Sequence, residues 1–257
     1  MKKDGILFHA KHAYRPNILG YCGPDGRGSI QQGLEEGKVG EELVTTLKEF
    51  EAAYPFLKLI ARTTGRDVFD YSVPEAYWIG NPLLDKVPVS EFYGFSHHEL
   101  QGKDEESVRA VFRKLNGSAV PHHSFYVMST FAASGETDGP NLENENAKKI
   151  AALIDNCRIS WGKVKSVGGR ELKVEFRPVV IEGGRLGLAK PSLKRVQYNP
   201  AVRPFDSVKA GDVVSLHWNY ACDVLTPRQS RNLSKYTDAD LAMVNRFLGS
   251  RAGRSRR

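Results

Sequence analysis

Cys157-Arg-Ile-Ser-Trp-Gly-Lys-Val164 is the stretch where the chain changes character. Ahead of it, Ala147, Ile150, Ala151 and Ile154 stripe one face at helical spacing, which predicts a helix running up to Cys157. Beyond it, Ile159, Trp161 and Lys163 alternate with Ser160, Gly162 and Val164, the two-residue period of a strand. Val167-Gly-Gly-Arg170 predicts a hairpin turn, and Leu172, Val174 and Phe176 alternate with charged neighbours on the return strand. Glu182-Gly-Gly-Arg185 predicts a second turn, Leu193–Tyr198 a third strand, and Pro200 to Pro204 a connection. Gly211-Asp-Val-Val-Ser-Leu-His217-Trp-Asn-Tyr-Ala221 then supplies the closing strand. Short strands separated by paired glycines predict a small closed barrel.

The part before this junction is predicted to be mainly helical. Leu43, Leu47, Phe50 and Tyr54 recur at helical spacing, and Phe56, Leu59 and Ile60 continue past Pro55, so this is one kinked helix or two abutting ones. Val108, Val111, Phe112 and Leu115 mark a further amphipathic helix that opens with Asp104-Glu-Glu and stops at Asn116-Gly117. Arg15-Pro-Asn-Ile-Leu-Gly-Tyr-Cys22-Gly-Pro-Asp-Gly26 has the composition of a packed, turn-laden loop, and residues 133–141 that of a polar loop. Ser124-Phe-Tyr-Val-Met-Ser is too short an apolar run to assign. Near the end, Thr237-Asp-Ala-Asp240 has the pattern of a helix cap leading into Leu241, Val244 and Leu248. The expected organisation is therefore α+β. A mainly helical domain (1–155) is followed by a small OB-like β-barrel with a C-terminal helix (156–250) and a basic tail (251–257).

Composition narrows the class without naming a function. The chain has 257 residues, 40% hydrophobic and 26% charged, which is ordinary for a soluble folded protein. Its apolar runs fall short of the roughly 20 residues of a membrane helix, and Met1-Lys-Lys-Asp-Gly-Ile-Leu-Phe-His9 lacks the apolar core of a signal peptide. Three widely spaced cysteines argue against a disulfide framework and lead to the expectation of a reducing cytoplasm. Four of the seven net positive charges lie in Arg251, Arg254, Arg256 and Arg257, so the body of the protein carries little excess charge. Gly-x-Ser-x-Gly, His-Glu-x-x-His and a phosphate-binding glycine loop are all absent from the sequence.

What remains are soft and borderline metal donors. His9-x-x-His12 with Cys22 forms one group, with both histidines on one face if the segment is helical. His97-His98 and His122-His123 are adjacent pairs whose members point apart, so a chelate would need one histidine from each. Cys157 stands alone at the strand mouth, with Arg158, Lys163 and Lys165 nearby in sequence to favour its thiolate. Cys222, which follows Ala221 in the closing strand, has the position of a buried barrel cysteine.

The succession Cys157-x-x-x-Trp161-Gly162-x-Val164, a Gly-Gly hairpin, Lys173-Val-Glu-Phe176 and Gly211-Asp-x-Val-x-x-His217-x-x-x-Ala221 resembles the HypC/HupF-type hydrogenase assembly chaperones. The likeness covers residues 157–248, with Cys157 internal and the segment from Phe176 to Val208 longer and richer in proline than in a minimal member. Residues 1–155 look like an uncharacterised prokaryotic family associated with nickel-iron hydrogenase genes. The resemblance implies an OB-like barrel that helps deliver the Fe(CN)2CO group to the hydrogenase large subunit, together with a HypD-like maturation protein. It implies Cys157, Trp161, Gly162 and His217 as the partner- or iron-contacting residues, with iron held transiently at Cys157 and no turnover. Two other readings come from the residues themselves. OB-like barrels bind single-stranded nucleic acid, here through Trp161, Phe176, Tyr198 and Trp218 with Lys163, Lys165 and Arg195. Alternatively, the histidines of the first part build a metalloenzyme.

Overall fold

The structure, a computed structural model, describes residues 2–24, 28–92, 94, 119–133 and 145–252. The helix expected at 108–115, His97, His98 and the basic tail beyond residue 252 lie outside the described residues.

The chain opens with helix α1 (Lys2–Ile18), where the composition had predicted loop from residue 15 onward. Phe8, His9, Ala10, His12 and Ala13 are all buried, so histidines occupy core positions and no clean apolar stripe announces the helix. Helix α2 (Gly28–Glu36) follows, then α3 (Glu41–Lys48) and α4 (Tyr54–Thr64). The apolar run broken by Pro55 is thus two helices. Pro55 sits in the first turn of α4, where its missing N–H would have lacked a partner anyway. Helix α5 (Ser72–Trp78) ends near Gly80, whose φ of +90° and contact with the Tyr236 ring leave no room for a side chain. The unassigned apolar run around Phe125 lies in α6 (His123–Ala133), and α7 (Glu145–Cys157) carries the stripe that leads to the junction.

The expected barrel is present. Its strands β1 (Ser160–Gly168), β2 (Glu171–Phe176), β5 (Ser192–Gln197), β6 (Val213–His217) and β7 (Tyr220–Val224) close in the order β1-β2-β5-β7-β6. The stretch read as one closing strand is a hairpin, with Trp218 and Asn219 at φ of 50° and 58° forming its two-residue tip. β3 (Val179–Glu182) and β4 (Arg185–Leu188) make a separate ribbon beside the barrel. Asn245 clamps that ribbon by accepting from the Leu186 N–H and donating to its carbonyl.

The C-terminal helix α8 (Pro227–Ala252) starts a full ten residues before the cap expected at Thr237. Its true start is a capping box, Thr226-Pro-Arg-Gln229. The Gln229 N–H donates to Thr226 Oγ1 at 3.2 Å, and Gln229 Oε1 accepts from the Thr226 N–H at 3.0 Å. Thr237 and Asp240 are instead fully buried in mid-helix. Valines, Leu172, Phe176 and Phe205 fill the barrel, while a larger core runs continuously from α1 through α5, α6 and α7 to α8. The Lys11 ammonium, paired with both Asp223 carboxylate oxygens at 3.1 Å, ties α1 to the barrel.

Candidate metal centre

Trp78 is the hub of this larger core. The rings of His9, His12, His123 and His217 lie 5.6, 5.7, 4.6 and 5.7 Å from the indole, centroid to centroid. All four histidines are buried, and burial keeps them neutral. His9 and His12 are pushed down to about 3, His217 to about 4, and His123 well below the ordinary histidine range, with His217 beside it adding to the effect.

Each ring is then fixed by what surrounds it. His9 Nδ1 accepts the Trp78 indole N–H at 2.8 Å. His12 donates from Nδ1 to the Phe8 carbonyl at 3.0 Å and meets Ser215 Oγ through Nε2 at 3.1 Å. Both are occupied in holding α1 to Trp78 and β6, and neither approaches Cys22 as part of a ligand set.

His123, Cys157 and His217 come together instead. One ligand atom from each lies within 4.8 Å of the other two. Three elements converge here: the first turn of α6, the last residue of α7 and the end of β6. Each histidine carries its lone pair on the nitrogen away from a backbone carbonyl, because a carbonyl can only accept and so fixes the proton on the nitrogen that faces it. His123 donates from Nε2 to the Cys157 carbonyl at 2.9 Å, and its Nδ1 lone pair accepts from the Tyr77 hydroxyl at 3.0 Å, a bond that an ion binding at Nδ1 has to displace. His217 donates from Nδ1 to the His12 carbonyl at 2.7 Å, leaving Nε2 buried with no hydrogen-bond partner. Backbone carbonyls that orient ligating histidines in this way are the usual outer layer of a metal site.

The carbonyl that orients His217 is free for a local reason. In an α-helix the His12 carbonyl would accept the N–H of residue 16, and residue 16 is Pro16, which has none. The proline inside α1 thereby releases an acceptor toward β6.

Cys157 is half-buried, and burial pushes its thiol up to about 12. The neighbouring cations do not favour its thiolate as expected. Arg158 is buried and donates to Asp155 Oδ1 and the Arg177 carbonyl, while Lys165 pairs with Glu175. A protonated thiol flanked by two neutral imidazoles suits a metal ion, which displaces the thiol proton on binding. The donor set, one sulfur and two nitrogens, fits zinc, iron or a similar soft or borderline transition ion.

The remaining sequence candidates are dispersed. His122 turns away from its neighbour His123 and pairs with the buried Asp240 at 2.7 Å. Trp161 is half-buried and Gly162 lies against Val174 in the strand pair. Phe176 and Tyr198 belong to the barrel core, and Trp218 stacks on Tyr21 at 4.1 Å. Cys222 is buried. Sequence reasoning gave Trp78 and Tyr77 no role; no motif marks them, and only their place between the histidines does.

The sequence profile of a family of unknown function (DUF6390) matches residues 1–251. No curated protein and no solved structure matches the chain. Among the described residues no helix is long and apolar enough to cross a membrane.

Proposed function

The chain belongs to DUF6390, a family of unknown function, and for it we propose a metal-handling accessory protein that binds a transition-metal ion through His123, Cys157 and His217 and docks with a partner at that site. The carrying observation is the convergence of these three donors within 4.8 Å. Cys157 and His217 are two of the four residues that the HypC/HupF resemblance implies, and they meet in space from opposite ends of the barrel sequence. The partner that this resemblance implies is the nickel-iron hydrogenase large subunit or a HypD-like maturation protein, with the iron of the Fe(CN)2CO group as cargo. The protein's own residues do three things. Tyr77 and the Cys157 and His12 carbonyls orient the imidazoles, the core around Trp78 keeps those rings neutral, and the half-buried sulfur supplies the softest donor.

Three ligands leave a tetrahedral ion one open position, through which a donor from outside can reach it. The nucleic-acid reading is the weaker one, since Phe176 and Tyr198 point into the barrel core and cannot stack on bases. The test is metal content and pull-down of the hydrogenase large-subunit precursor, comparing wild type with Cys157→Ala. Near-stoichiometric metal and precursor recovery in wild type, both lost in Cys157→Ala, is the expected result. Equal metal content and equal recovery would remove Cys157 from the mechanism.

A further inference from the structure

Arg158 lines a cavity of about 230 Å³ on the outer side of the barrel, where β1, β2 and β6 meet the first turn of α8. Trp161 and Lys163 share the face of β1 opposite the buried Ser160, Gly162 and Val164, and Ser230 joins them from α8. The Arg158 side chain is 1% exposed. Its Nε and Nη2 donate to Asp155 Oδ1 at 3.1 and 2.8 Å, and Nη2 also donates to the Arg177 carbonyl at 2.9 Å. Nη1 is buried with no hydrogen-bond partner. An ionised donor kept from water in this way costs free energy until an acceptor reaches it. The cations lining the cavity also outnumber the carboxylates. Asp155 balances Arg158, and Glu175, opposite Lys163 in the β1–β2 ladder, pairs with Lys165 at 3.1 Å. Arg177 donates from Nε and Nη2 to the Ala189 and Leu188 carbonyls, which leave its charge in place. Lys163 and Arg177 therefore stand without a carboxylate partner among the described residues.

We propose that this cavity binds a small phosphate monoester, with Arg158 Nη1, Lys163 and Ser230 donating to the phosphate oxygens and the Trp161 ring lying beside the organic part. A phosphate monoester carries about −1.5 to −2 charges at neutral pH and three strong acceptor oxygens. That matches two cations without a carboxylate partner and a set of unmet donors better than the single charge of a carboxylate does. The half-buried Trp161 supplies the apolar wall that a bare anion does not need. Pockets that enclose a drug-sized ligand measure roughly 300–1,000 Å³. This smaller cavity suits one phosphate with a single ring or short chain. The site uses none of His123, Cys157 and His217, so it stands apart from the metal-handling reading.

Calorimetric titration of the full chain with phenyl phosphate tests this, with inorganic phosphate, benzoate and phenol as comparison probes. Wild type should bind one phenyl phosphate, about fivefold more tightly than inorganic phosphate and about tenfold more tightly than benzoate, and should not bind phenol. Lys163→Ala, at an exposed strand position, should weaken phenyl phosphate by about tenfold. Trp161→Ala should bring phenyl phosphate down to the level of inorganic phosphate. Arg158→Gln should lose binding with an unchanged circular dichroism spectrum; if that variant does not fold, Lys163→Ala decides alone. Cobalt(II) binding at His123, Cys157 and His217 should be equal in Lys163→Ala and wild type, so the two sites fail separately. Protein stripped of metal by dialysis against a chelator should bind phenyl phosphate as untreated protein does. No binding at about 10 mM phenyl phosphate, or equal binding by wild type and Lys163→Ala, overturns the proposal. So does benzoate binding as tightly as phenyl phosphate, or loss of binding on stripping, which would put the phosphate on a metal ion.

Discussion

Around Trp78 the core packs four imidazoles against one indole; inside the barrel, Val164, Leu172, Val174, Val196 and Val214 pack on one another and on Phe176 and Phe205. Both interiors exclude water to the same degree. The barrel does it with side chains that have nothing to lose by burial. The Trp78 region does it with groups that must be held neutral, and it partners them with the Trp78 N–H, Ser215, Tyr77 and three backbone carbonyls, leaving Nε2 of His9 and of His217 without a hydrogen-bond partner. Such an arrangement is costly as a core and useful as a ligand shell. The division of labour follows: the barrel sets the position of β6, and the histidine core fixes the ring orientations at its end.

Acid should expose this difference most strongly. Folded His9 and His12 are pushed down to about 3 and His217 to about 4, and burial holds His123 well below the ordinary histidine range, so the unfolded chain takes up protons first. Stability is therefore full above pH 6.5 and is lost as pH falls from there toward the folded values. Each ring contributes about 1.4 kcal/mol per pH unit in that window. Set against a total stability of about 5–15 kcal/mol, four rings are enough to unfold the protein in mild acid. The raised carboxyls of Asp223 and Asp240 take protons in the folded state and offset part of the loss. Urea unfolding between pH 7 and 5 should show an uptake of several protons; an uptake of one or fewer would mean that the rings are not held as described.

The same contrast predicts that stability and metal binding come apart. Trp78→Ala should cost about 3–5 kcal/mol, and Leu172→Ala in the barrel about 2–5 kcal/mol. Only the first should also abolish cobalt binding, since it removes the wall against which His123 and His217 are set. Leu172→Ala should bind cobalt within about twofold of wild type once conditions are mild enough for it to fold. Parallel loss of binding in both variants would show that the site depends on global stability rather than on its own packing.

The barrel was legible in the sequence because its signals are local: the change of period after Cys157, and the glycines at 169, 183 and 184 that adopt left-handed turn conformations. Helix α1 was not legible, because His9 and His12 sit where an apolar residue would normally mark the buried face and Pro16 argues against a helix. The start of α8 was present in the text as Thr226-Pro-Arg-Gln229, but Thr237-Asp-Ala-Asp240 imitates a cap more conspicuously while being a buried polar face of the same helix. Cys157 and His217 could be picked out by resemblance to a known pattern. That His123 rather than His9 or His12 joins them is a fact of tertiary packing, since neighbouring histidines at 122 and 123 point to opposite sides and only the fold decides which side holds the sulfur.

Pro16 permits the finest separation of the two roles. As a proline in the last turn of α1 it weakens that helix and leaves the His12 carbonyl without its helical donor. His217 uses this carbonyl at 2.7 Å, and the bond keeps its Nε2 unprotonated toward Cys157. Pro16→Ala restores an N–H at position 16 that competes for the same oxygen. The helix should gain from this, so that stability stays level or rises by up to about 1 kcal/mol. Cobalt affinity should nevertheless fall, by roughly tenfold, as expected when an outer-layer partner of a ligating histidine is weakened. A variant that is more stable and binds worse cannot be explained by damage to the fold. If instead Pro16→Ala binds cobalt as wild type does, the His12 carbonyl is shared without cost, and the orientation of His217 must come from its contacts with Trp78 and His123 alone.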